Sequence, residues 1–187
     1  MTVYWERRGA PGAASQPVAV IGVGQVYRRD DGVGRTVAAL LRNRLPWARL
    51  ASCDGEGAEL INLWAGARLA VVIDGVRTPG LQPGRVHRMT SGDPGRFASL
   101  GLPAGTAGIP AHLGTAHAVD LGDVVALGRE LGRLPALLLV YGIEIHEMSY
   151  GLGLSPSVEA AAYTVAHEIE GIAHQHAAMG HLAVTRH

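Results

Sequence analysis

Six side chains of this 187-residue chain could hold a cation or move a proton: Asp30 and Asp31, Asp54 and Glu56, Asp74, and His117. The acids follow short apolar runs, and His117 opens a helical pattern. In an open parallel sheet the loops at the carboxyl ends of the strands converge, so these positions predict three or more acids facing one imidazole. Two hard carboxylate donors and one imidazole, taken from three loops, suit a divalent transition ion with open positions better than calcium or a nucleophilic triad. Each residue also has an ordinary reading. Asp30 and Asp31 can cap a helix and offset its dipole, Asp74 can close a strand before a turn, and His117 can bond neighbouring backbone where a helix starts.

Other chemistries fit less well. The loop IGVGQVYRRDDGVG over residues 21–34 has Tyr27 where a dinucleotide fingerprint needs its third glycine, and its acids would repel pyrophosphate, so no nucleotide is expected. Cys53, helped by His117, is an alternative nucleophile, although a single cysteine at a strand end is more often packing. Neither a G-x-S-x-G elbow nor an H-E-x-x-H helix occurs. His167, His174, His176, His181 and His187 crowd the last quarter and read as a solvated helix end and tail, with adventitious metal capture as the alternative. Arg28 and Arg29 read as solvated loop charges, a peptide carboxylate being their alternative partner.

The elements that must position these residues alternate. Apolar, β-branched runs predict strands over residues 17–23, 47–53, 69–73 (stopping at Asp74) and 136–142, with a hairpin strand over 84–89. Helical spacing predicts helices over 31–44, with Asp30 as N-cap, and over 56–65, 118–131 and 157–173. Strand–helix alternation implies α/β architecture with parallel pairing and right-handed crossovers. Residues 91–114, rich in Gly and Pro, form the longest irregular stretch and read as a flap over substrate.

The length fits one domain over 16–175, with a flexible N-terminal leader at 1–15 and a flexible tail at 176–187. Sixteen Lys and Arg balance sixteen Asp and Glu, so no field of one sign attracts nucleic acid or an anionic membrane. With no 18-residue apolar span or signal-like start, and a single cysteine, a cytoplasmic protein is expected.

Taken together, GVGQVYRRDDGVG, GAEL, VVIDGV, HAVDLGDVVAL, VYGIEI and GLSPSVEAA resemble, in order and spacing, the [NiFe]-hydrogenase maturation endopeptidases across about residues 18–172. The resemblance implies a three-layer α/β/α fold, phosphorylase/hydrolase-like, with a twisted, mostly parallel sheet of about five strands. It implies an endopeptidase that removes the C-terminal extension of the hydrogenase large-subunit precursor after nickel insertion. The alternative is a chaperone that checks the nickel without cutting. Nickel would arrive with the substrate, and the family's metal-recognising and catalytic positions fall on Asp31, Asp74 and His117. Three positions depart from the family pattern: Asp31 replaces the usual Glu, Asp120 stands where Gly is common, and Cys53-Asp54-Gly55 replaces a Gly-Gly-Thr segment.

Overall fold

The computed structural model describes residues 3–4, 18–91, 107–108 and 121–184, with side-chain environments over 18–91 and 121–179. Strand β1 is Val3–Tyr4 and β2 is Val18–Val23; a 3₁₀ turn, Arg29–Gly32, then leads into helix α1, Val33–Leu41. The chain continues through β3 (Arg49–Cys53), α2 (Gly57–Trp64), β4 (Leu69–Val76), β5 (Val86–Ser91) and β6 (Ala107–Gly108). It ends with α3 (Leu121–Glu130), β7 (Leu137–Glu144) and α4 (Pro156–Val184). The strands form one sheet in the order β1-β3-β2-β4-β7-β5-β6. β3, β2, β4 and β7 pair in parallel, whereas β5 returns antiparallel to β7. The expected five strands are those of five to eight residues; β1 and β6 are two-residue edge pieces.

Period-2 alternation along the central strands builds two cores, one on each face. Val18, Val20, Leu69, Val71, Ile73, Leu137 and Leu139 pack with α1 and α4. The intervening Ala19, Ile21, Ala70, Val72, Leu138 and Val140 pack with α2 and α3. Central strands buried on both faces explain the unbroken apolar runs, and two-sided packing gives the α/β/α layering. No helix among the described residues is long and apolar enough to cross a membrane.

Several elements differ from the sequence expectation. β4 does not stop at Asp74 but runs to Val76, so Asp74 lies within the strand, in register with Gly142 of β7. The helix expected over 31–44 starts as the 3₁₀ turn, and α1 is preceded by Gly32 without any side-chain cap. Asp30 is not its N-cap, because its carboxylate is engaged elsewhere. α4 does not end near 173 but continues to Val184. Ala-rich helical sequence carries it on, with Ala173 and His176 buried and Trp47 packing edge-on against His174 at 5.6 Å. The leader expected at 1–15 supplies Val3–Tyr4 as an edge strand on β3, its other residues lying outside the described ones. Of the flap expected over 91–114, only Ser91, the end of β5, and β6 are described.

Candidate functional site

The turn from β2 into α1 is compressed. A side chain at Gly34 would put its Cβ 2.3 Å from the Ile73 carbonyl oxygen and 2.4 Å from that of Val23, so glycine alone lets α1 sit on the ends of β2 and β4. Gly24 has φ of 124°, and a Cβ there would lie 1.8 Å from the Asp31 carbonyl oxygen. The glycines of this loop therefore serve close packing and a tight turn.

That compression places the acids. The 3₁₀ turn carrying Asp31 packs against β4, the strand that carries Asp74, immediately after the Ile73 carbonyl that Gly34 approaches. Asp31 and Asp74 are 1% and 4% exposed, and both lie at the carboxyl-end rim of neighbouring parallel strands. The Gln25 backbone N–H donates to Asp31 Oδ2 at 3.0 Å, fixing the carboxylate within its own loop. His117, the third expected member, lies outside the described residues. Among the described residues, no three His, Cys, Asp or Glu side chains are grouped to hold a metal. The two buried carboxylates are hard oxygen donors that fit part of a divalent-cation site.

The other candidate acids have different work. Asp30, fully buried, accepts hydrogen bonds from the Ser155 N–H at 2.6 Å, the Ser155 hydroxyl at 3.0 Å and the Glu147 and His146 N–H groups at 3.0 and 3.3 Å. Its own N–H donates to the Glu147 carbonyl at 3.0 Å, so Asp30 staples the 146–155 loop to the first loop. Asp54 pairs with the Arg35 guanidinium, which also donates to the Gly24 carbonyl and so ties β3 to the glycine loop. Glu56 is the exposed residue preceding α2 and makes no side-chain cap. Sequence reasoning gathered all of these acids around one imidazole; among the described residues Asp30 and Asp54 are held by other partners, while Asp31 and Asp74 are buried on the β2–α1 turn and on β4.

Cys53 is buried, and burial pushes its thiol pKa up to about 12, with the Gly55 backbone contact and Arg35 opposing this and the Glu59 and Asp74 charges adding to it. A thiol so protonated at neutral pH is a poor nucleophile. Arg28 is part-exposed and Arg29 exposed, in keeping with solvated loop charges, and both also meet Gly151. Arg28 bridges to Gly151, and Arg29, at a φ of 49°, places its guanidinium where a Cβ at Gly151 would meet it at 3.1 Å. In the histidine-rich end, His174 packs on Trp47 and His176 is buried; His187 and the side chain of His181 lie outside the described residues.

One feature escaped the sequence reading. Glu144, buried at the end of β7, bonds His87 Nε2 at 2.7 Å and accepts from the Thr78 N–H at 2.9 Å. It floors a cavity of about 580 Å³ between the 77–83 turn and the 144–148 segment, bordered by Arg77, Leu81, Pro83, His146 and Met148. The available signal was a lone acid closing the apolar run ALLLVYGIE.

No protein-family model matches the chain, and no curated protein matches it in sequence. Solved structures do match. The hydrogenase maturating endopeptidase HybD from E. coli is similar at 22% identity and TM-score 0.59, over 81% of this chain and 88% of that one. The [NiFe] hydrogenase maturation protease HybD from Thermococcus kodakarensis is similar at 22% identity and TM-score 0.56, over 82% and 96%. A hydrogenase 2 maturation peptidase from Thaumarchaeota archaeon SCGC_AB-539-E09 is similar at 24% identity and TM-score 0.53, over 81% and 94%. The chain has the fold of the hydrogenase maturation endopeptidases.

Proposed function

We propose that this chain is an endopeptidase of hydrogenase maturation that removes the C-terminal extension of the [NiFe]-hydrogenase large-subunit precursor once nickel is in place. The supporting observation is the packing of the Asp31 turn on the Asp74 strand, both acids being buried, in a sheet whose fold is that of such enzymes. Nickel belongs to the substrate. Asp31, Asp74 and His117 recognise it there, so only the metallated precursor is aligned for cleavage, and alignment alone accounts for much of a catalyst's advantage. A carboxylate at this rim accepts the proton of the attacking water, and the substrate metal polarises the scissile carbonyl.

Purified precursor, with and without nickel, incubated with the protein and weighed by mass spectrometry, tests this reading. Loss of a C-terminal fragment only from the nickel-loaded form is expected. A precursor that is bound but left whole would make the protein a nickel-checking chaperone instead.

A further inference from the structure

Seven large hydrophobic side chains are exposed among the described residues, and four of them lie on two loops that touch. Val26 and Tyr27, 39% and 67% exposed, are on the first loop; Tyr150 and Leu152, 91% and 68% exposed, flank Gly151 on the 146–155 loop. The Gly151 N–H donates to the Tyr27 carbonyl at 2.9 Å, and the Arg29 N–H donates to the Gly151 carbonyl at 3.1 Å. Beneath them the buried Asp30 carboxylate fastens residues 146, 147 and 155. Two tyrosines and a leucine displayed on backbone pinned in this way lose little entropy on burial, which is the character of an interface anchor.

The patch is continuous with the candidate site. Gln25, whose N–H holds the Asp31 carboxylate, directly precedes Val26, and the Asp31 N–H donates to the carbonyl of Arg28. Arg28 and Arg29 edge the patch and outnumber the exposed Glu147 beside them, so the complementary surface is apolar with carboxylates at its margin.

We propose that Val26, Tyr27, Tyr150 and Leu152 form the docking face for the folded body of the polypeptide substrate, holding it while its scissile segment reaches Asp31 and Asp74. This rests on the endopeptidase reading. It assigns recognition to a surface beside the metal-facing carboxylates, so affinity for the partner and turnover are separable.

The test measures cleavage and binding of nickel-loaded large-subunit precursor by the full-length wild type, Tyr150→Ser, Leu152→Ser and the double variant. Circular dichroism and melting temperature confirm folding, which substitution of exposed side chains leaves intact. A KM or Kd raised about tenfold or more in the double variant, with kcat unchanged, is expected for the loss of two anchors. Wild-type cleavage with unaltered KM and Kd in the double variant overturns the docking face and leaves the endopeptidase reading standing. Wild-type binding that the substitutions abolish, without any cleavage, keeps the docking face and removes the endopeptidase reading. A wild type that neither binds nor cuts the precursor removes both. A wild-type dimer in sedimentation that Tyr150→Ser and Leu152→Ser dissolve would assign the face to a second copy of the chain and overturn the proposal.

Discussion

Asp30 and Asp31 adjoin in sequence, yet one carboxylate binds the 146–155 loop and the other accepts from the Gln25 N–H within its own loop. Asp30→Ala strips the acceptor from four donors and should lower unfolding free energy by roughly 3 kcal/mol in urea titration, the range for hydrogen bonds to a buried charge. Asp31→Asn keeps the shape and an accepting oxygen for Gln25, so it should change stability by less than about 1 kcal/mol while abolishing precursor cleavage. Cys53→Ala should leave cleavage intact, because a buried, protonated thiol is a poor nucleophile. Its alkaline behaviour is also defined. The native thiol keeps its proton to about pH 12 while the unfolded chain releases it near pH 9. The stability this confers is whole below pH 9 and is lost as pH rises toward 12. Melting curves of Cys53→Ala should therefore decline less steeply over that window, the residual slope including the contribution of buried Tyr141, whose pKa is also raised by burial.

At the scale of elements, the approach of α1 to the sheet decides whether the rim exists. Gly34→Ala would drive a methyl group to 2.3–2.7 Å from three backbone atoms of Ile73 and Val23, where no side-chain rotation relieves it. A loss of more than about 3 kcal/mol is expected, read as a drop in melting temperature or in soluble yield. Gly171→Ala on α4, with nothing within 4 Å of the added Cβ, should instead raise stability by about 0.5–1 kcal/mol. The strands and helices themselves were legible, since unbroken apolar runs such as VAVIGV and LLLVYG mark strands buried on both faces. The true start of α1 was not, because Asp30 is satisfied by Ser155, 125 positions away, and no local pattern carries that contact. Asp31 and Asp74 could be picked out as acids following apolar runs. Glu144 could be seen as an acid in its strand, but its partner His87 lies on β5, which, rather than forming the expected hairpin with β4, runs antiparallel to β7 in a register only the fold supplies.

The whole molecule is a two-faced sheet closed on one side by a long α4 that carries a pH-sensitive contact. Burial first, and then the Arg68 charge, hold the His176 pKa below its usual 6.5. The native state thus keeps His176 neutral where the unfolded chain protonates it, so this stability is present above pH 6.5 and is lost as pH falls below it. His176→Leu should flatten the fall in melting temperature between pH 7 and 5. The central proposal is that this fold brings Asp31 and Asp74 to a metal-bearing substrate. Mass spectrometry of nickel-loaded large-subunit precursor after incubation with wild type and with Asp74→Asn tests it most directly. Release of a C-terminal fragment by the wild type and none by the folded variant is the predicted result. Equal trimming by both proteins, or an untouched precursor with both, would contradict it.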